Sequence, residues 1–234
     1  MRRVVAPMAG AAALAAFAVP AAAEPVVWGF QAEQFEYRVG EEDLLAWDLD
    51  AFVGGDELRL RYQGEGEYAR EEEALETFEH QLFLQTPITD FFDAKAGIRY
   101  DAPEGADQLY AALGVVGLTR QWAEVDLTGY VSDDGDLSLR LDAEYEALIT
   151  NRLALTPSVE IGLPFTDDEE AEYGAWGPVA EIGARLSYDL IGRSVAPYVG
   201  ATYEVAFGES SDIAQADGGE DDALYFVAGA RLVF

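Results

Sequence analysis

Four acidic residues in strict alternation offer the first chemistry that this chain suggests. Glu124 and Asp126 run into Thr128, Tyr130 and Ser132, and Asp136 runs out through Ser138 and Arg140 to Asp142 and Glu144. Between these runs, Ser132-Asp133-Asp134-Gly135-Asp136 fits a three-residue hairpin loop with Gly135 at the positive-φ position. That loop sets Ser132 opposite Asp136, and so pairs Tyr130 with Ser138, Thr128 with Arg140, Asp126 with Asp142 and Glu124 with Glu144. A two-residue loop would pair even positions with odd ones and break the agreement between the two faces. Carboxylates opposed across strands repel, so this wall needs cations, protons or arginines. Three readings are open: a structural network closed by Arg140 and by arginines such as Arg99 and Arg185, a transient cation or proton station, and a dedicated metal site on Glu124, Asp126, Asp142 and Glu144.

Other chemistry is largely closed. The chain has no cysteine, which removes disulfides, thiolate nucleophiles and thiolate metal sites. Its one histidine, His80, cannot build a multi-histidine metal site, and any Ser-His-Asp arrangement would rest on it alone. His80 shares parity with Phe78, Leu82 and Leu84, so it is expected to point outward near a rim. An outer-membrane phospholipase would need Ser and Asn beside such a histidine. The flanking segments 57–67 and 92–100 hold no serine, and the only asparagine, Asn151, falls in a turn. No catalytic residue is assigned, and the chain is expected to be non-enzymatic with no organic cofactor. With 14 Lys+Arg against 45 Asp+Glu and a formal charge of -31, no role is expected that depends on attraction to DNA, RNA or anionic headgroups, and nucleic acid is excluded as a partner.

The elements that must position these residues are strands. Hydrophobic residues make up 50% of the chain, yet mean hydropathy is only -0.02, so apolar and polar positions must interleave finely. Leu137, Leu139, Leu141, Ala143, Tyr145 and Ala147 alternate with Ser138, Arg140, Asp142, Glu144 and Glu146, and the same period of two recurs to Phe234. Segments 28–38, 46–53, 57–67, 75–86, 92–100, 106–117, 122–132, 137–149, 153–163, 178–190, 195–207 and 223–234 make twelve strands. Leu75, Phe78 and Leu82 have helical spacing, and the alternation around them places that segment in a strand nonetheless.

Connection lengths choose the architecture. Gly54-Gly55-Asp56, 87–91, 118–121, 150–152 and 191–194 are tight, whereas the opposite set includes the acidic loops 164–177 and 208–222. Short turns at one end, long loops at the other and an even strand count predict an all-β, transmembrane antiparallel barrel of the Gram-negative outer membrane with both termini periplasmic. The face opposite the apolar one carries Glu36, Arg38, Arg59, Arg61, Lys95, Arg99, Arg140, Arg185 and Arg231. A charge on the lipid face costs up to ~2–4 kcal/mol at the midplane, so these side chains must line the lumen. Trp47, Tyr62, Trp122, Tyr188, Tyr203 and Phe207 suit interfacial girdles, and the acidic loops suit cations bridging lipopolysaccharide. Arg2-Arg3, the apolar run 8–19 and Ala21-Ala22-Ala23 read as a signal peptide over 1–23, leaving 24–234 as a single barrel domain.

Several ordered matches resemble the copper resistance protein B (CopB) family of outer-membrane proteins. They are Gln34-Phe35-Glu36-Tyr37-Arg38, Ala96-Gly97-Ile98-Arg99-Tyr100-Asp101, Trp122-Ala123-Glu124-Val125-Asp126, Arg140-Leu141-Asp142-Ala143-Glu144-Tyr145, Ala196-Pro197-Tyr198-Val199-Gly200 and Phe226-Val227-Ala228-Gly229-Ala230-Arg231. The resemblance implies a barrel for copper tolerance that sequesters copper or passes it across the membrane, acting with a periplasmic multicopper oxidase. Members usually carry a Met- and His-rich copper-binding segment ahead of the barrel. Here 24–40 holds neither residue, and Met1 and Met8 are the only methionines. A narrow cation-selective channel and a structural outer-membrane protein with cation-binding loops are the alternatives.

Overall fold

Alternation of side chains becomes curvature once neighbouring strands hydrogen-bond and close on themselves. The computed structural model describes residues 25–40, 42–71, 73–102, 107–167, 174–216 and 220–234. The signal segment, Glu72 and parts of both acidic loops (168–170 and 217–219) lie outside the described residues.

The strands are β1 (Val27–Val39), β2 (Asp43–Gly54), β3 (Arg59–Ala69), β4 (Ala74–Pro87), β5 (Phe92–Asp101), β6 (Gln108–Leu118) and β7 (Glu124–Ser132). There follow β8 (Leu137–Glu144), the two-residue β9 (Ala147–Leu148), β10 (Leu153–Pro164), β11 (Val179–Tyr188), β12 (Val195–Ala206), helix α1 (Glu209–Ala216) and β13 (Asp222–Val233). Each strand pairs antiparallel with its sequence neighbour, and β13 pairs with β1 to close the ring. Because β8 and β9 both pair with β10, they form one interrupted stave, and the closed barrel has twelve. The segment with helical spacing, Ala74–Pro87, is strand along its whole length. Closure overrides local propensity there, because a gap between β3 and β5 would leave the edges of both strands unpaired.

Predicted stave 137–149 is broken at Tyr145-Glu146, and Pro157 accounts for it. Tyr145 N donates to the Pro157 carbonyl at 3.1 Å, but proline has no N–H to return, so the ladder loses its reciprocal bond. The register also shifts between β3 and β4 at Glu67/Tyr68 and, in β1, at a bulge between Ala32 and Gln34. That bulge switches the inward set from Gly29 and Gln31 to Gln34, Glu36 and Arg38.

The outer wall is apolar, with Leu84, Leu113, Val199 and Phe226 all more than half exposed. Trp122 and Phe207 fall just outside strands, as expected of a girdle, whereas Trp47 sits well inside β2, where it covers Gly66 of β3. A Cβ at Gly66 would lie 2.1 Å from the Trp47 ring, so only glycine fits there.

Short turns crowd one rim, where Phe30 and Phe234 exchange backbone hydrogen bonds of 3.2 and 2.8 Å. Three of these turns share a device. The hydroxyls of Thr89, Thr119 and Thr150 accept backbone N–H groups at 2.9, 3.1 and 2.9 Å, closing each turn on its own side chain. At the opposite rim, α1 docks on the β10–β11 loop through Ser210, whose hydroxyl donates to the Gly177 carbonyl at 2.7 Å and accepts Gly174 N–H at 3.1 Å. Nearby, Ser211 and Gln215 donate to Asp221 at 2.7 and 2.9 Å and hold its carboxyl below the usual carboxylate range.

Candidate functional site: the acidic lumen

Every inward strand position contributes to one polar interior, and the β7–β8 hairpin is its most local part. Ser132 N donates to the Asp136 carbonyl at 2.9 Å, and Gly135 takes φ +99. The register pairs Glu124 with Glu144, Asp126 with Asp142, Thr128 with Arg140 and Tyr130 with Ser138, as the hairpin loop predicts. The four carboxylates therefore do form one wall.

The arginines expected to neutralise that wall turn elsewhere. Arg140 pairs with Glu79 at 2.9 Å, Glu160 at 3.3 Å and Glu65 at 3.4 Å. Arg99 binds the same Glu79 at 2.8 Å and Asp101 at 2.5 Å, and lies over the rings of Tyr110 and Tyr130. Arg185 grips Glu36 at 2.9 Å and reaches Gln34 at 3.0 Å. Arg38 is the densest node, touching Glu36, Glu67, Glu181 and Glu204 at 3.0, 2.9, 3.1 and 2.8 Å. Arg231 meets Glu146 at 3.0 Å. Of the charged lumenal residues singled out in the sequence, Glu36, Arg38, Arg99, Arg140, Arg185 and Arg231 are thus inside and paired, whereas Arg59 donates to the Gly55 carbonyl at 3.3 Å.

The wall's counter-charge is the chain's one lysine. Lys95 Nζ lies 2.6 Å from Asp126 and 4.1 Å from the centre of the Phe83 ring. Thr128 also donates to Asp126, at 2.7 Å. Glu124, Asp142 and Glu144 carry no hydrogen bond or ion pair among the described residues. Nor does any group of three or more His, Asp or Glu among those residues have the disposition to hold a metal ion. The four carboxylates are an open, under-neutralised wall with oxygen donors only.

That wall belongs to a lumenal cavity of about 470 Å³. Fifteen acidic and five basic side chains line it among the described residues, an excess that makes the interior strongly cation-attracting. Glu33, Asp48, Glu65, Glu67, Glu79, Glu160, Glu181 and Glu204 are acidic members that the sequence reading did not single out. Strand parity could have found all of them except Glu33, which lies in the β1 bulge. Phe83, Tyr110, Ala112 and Tyr130 fill part of the cross-section. A second cavity of about 310 Å³ opens at the short-turn rim, and Arg61, which is bonded to Asp50, borders both.

His80 is outside this interior. It sits opposite Gly64 and Tyr100 on the outer wall, with its Nδ1 2.7 Å from the Tyr62 hydroxyl and its ring edge-on to Phe78 at 4.3 Å.

Comparison with known proteins places these features in context. Residues 26–234 match the family described as copper resistance protein B precursor (CopB). Copper resistance protein B of Escherichia coli is 36% identical over 203 residues, which span 86% of this chain and 68% of that protein. The copper resistance protein B homolog of Pseudomonas syringae pv. tomato is 34% identical over 208 residues, 88% of this chain and 69% of that protein. Among solved structures, the KdgM porin superposes with a TM-score of 0.55 at 11% identity, covering 88% of this chain and 99% of that one. A NanC porin superposes with a TM-score of 0.54 at the same identity and coverage. These two likenesses concern the fold alone.

Proposed function

Since the chain belongs to the copper resistance protein B family, we propose that it is an outer-membrane barrel that raises copper tolerance by handling the cation in its acidic lumen, without catalysing a reaction. The observation that carries this reading is the surplus of carboxylates in the cavity, together with the wall whose one ion pair among the described residues is Lys95 with Asp126. Oxygen donors suit a hydrated divalent ion held weakly and exchanged fast. They do not suit tight capture of cuprous ion, which favours thioether and thiolate ligands. Copper is therefore cargo in this proposal, and Glu124, Asp126, Asp142 and Glu144 are its transient contacts. In this reading the short-turn rim, with both described chain ends, faces the periplasm, where a multicopper oxidase would exchange copper with the barrel. The long acidic loops face lipopolysaccharide.

Deletion of the gene followed by growth on graded copper, with zinc as control, tests the proposal. A selective copper defect is expected, and equal growth of mutant and parent at every copper level would remove it.

A cation-selective path independent of copper is the second reading, and the continuous acidic lining of the cavity favours it. Reversal potentials in planar bilayers separate the two. Selectivity for monovalent and divalent cations alike, joined to unchanged copper tolerance, would point to the channel.

A further inference from the structure

Exposed charge at the short-turn rim is sorted by turn: the β2–β3 and β4–β5 turns carry exposed acids, Asp56, Glu57 and Asp90, and the turns that follow carry exposed arginines. At the short-turn rim, Arg120, Arg152 and Arg193 are exposed in three separate turns, between β6 and β7, β9 and β10, and β11 and β12. The Arg120 and Arg152 side chains make no hydrogen bond or ion pair among the described residues. The Arg193 guanidinium comes no closer than 3.7 Å to Asp189. At the long-loop rim Arg70 is the one exposed arginine among the described residues, and it is engaged by Tyr37, through its hydroxyl at 2.9 Å and its ring at 5.6 Å. Its surroundings are acidic, with Glu42, Glu71, Glu73, Asp107, Asp133 and Asp134 all exposed.

These three arginines stand where the apolar belt ends. Trp122, Ile191 and Ile149 are 73%, 67% and 57% exposed, and each lies within three residues of one of them. An arginine in that position lays its stem along the apolar surface and lifts its guanidinium to the headgroup plane. There the planar fork matches a phosphate with two parallel hydrogen bonds. The chain's formal charge of -31 repels anionic surfaces in general, so any attraction must be local to these exposed arginines.

We propose that the part of the short-turn rim from β6 to β12 is a seat for anionic phospholipid, in which Arg120, Arg152 and Arg193 pair with headgroup phosphates. This inference rests on the barrel spanning a bilayer and is independent of what the lumen carries.

The test uses the full barrel refolded into phosphatidylcholine vesicles that contain a minority of phosphatidylglycerol. Either the phosphatidylglycerol or an equal share of the phosphatidylcholine has brominated chains, and tryptophan quenching reports which lipid adjoins the protein. Roughly fivefold enrichment of phosphatidylglycerol is expected, the effect of about one arginine near an anionic surface. It should fall to parity in R120Q/R152Q/R193Q and at high salt, and survive in R70Q at the other rim. Should the triple variant not fold, R120Q, R152Q and R193Q singly are each expected to lower the preference. Equal quenching by both lipids in the parent, an unchanged preference in the triple variant, or loss of preference in R70Q would overturn the proposal. Abolition of the preference by millimolar inorganic phosphate would also overturn it, because the site would then take free phosphate rather than a bilayer headgroup.

Discussion

Arg38 and Lys95 stand in the same lumen and serve opposite economies of charge. Arg38 is shared among four carboxylates, one on its own strand β1 and one each on β3, β11 and β12, so one cation organises Glu36, Glu67, Glu181 and Glu204 into a cross-braced node. Lys95 holds Asp126 and leaves Glu124, Asp142 and Glu144 unbraced on the facing stave pair. The node behaves as structure, since every acid in it has a fixed partner. The wall keeps acids available to mobile cations. The contrast teaches that lumenal acidity alone does not define a cation path; the local ratio of acids to fixed cations does.

The sharpest way to break the comparison is to remove the node's centre. Arg38→Met should leave Glu67 and Glu204 without a cation, since Glu36 and Glu181 keep Arg185, and destabilise the barrel by about 3–5 kcal/mol, the usual consequence of stripping one partner from a buried pair. Urea unfolding in vesicles, followed by tryptophan fluorescence, checks it. A loss under 1 kcal/mol would show that water already screens the node.

Lys95→Met is expected to act more gently on stability, by about 1–3 kcal/mol, because Asp126 keeps the Thr128 hydroxyl and faces the cavity. Its larger effect should be on permeation, with the reversal potential moving toward stronger cation selectivity. A shift toward anions would contradict the wall's assigned role. At roughly 1 kcal/mol, Gly135→Ala tests the turn that holds the wall in register, since φ +99 is strained for any residue with a Cβ. The smallest change in stability is expected from Asp142→Asn with Glu144→Gln, which removes cross-strand repulsion and should leave unfolding within about 1 kcal/mol of the parent. Cation selectivity should nevertheless fall in that double variant, and equal reversal potentials in the two proteins would assign the wall a purely structural role.

Much of this was legible before any coordinates. Alternation from Leu137 to Ala147 and its echoes revealed which residues face inward, and loop asymmetry revealed closure into a barrel rather than a sandwich. The Asp126–Asp142 and Glu124–Glu144 pairs followed from a local turn, which is why they were accurate to the residue. Two features resisted the same treatment. The break at Tyr145-Glu146 depends on Pro157, a residue of the partner strand that reads in sequence as one more member of an apolar face. The β1 bulge reverses parity within one strand, and period two carries no mark of it.

By composition and spacing alone, the chain determined that its charges face inward, because hydrocarbon excludes them and a strand has only two faces. It also determined the pairing within each tight hairpin, since a short turn leaves the register no freedom. Which arginine meets which carboxylate was left to the closed barrel. Arg38 and Glu204 are 166 positions apart, and only the curvature that brings β1, β3, β11 and β12 around one axis sets them 2.8 Å from each other. The same closure spent the arginines on Glu36 and Glu79 and left the β7–β8 wall to a single lysine, a distribution of charge across space that no one-dimensional pattern encodes.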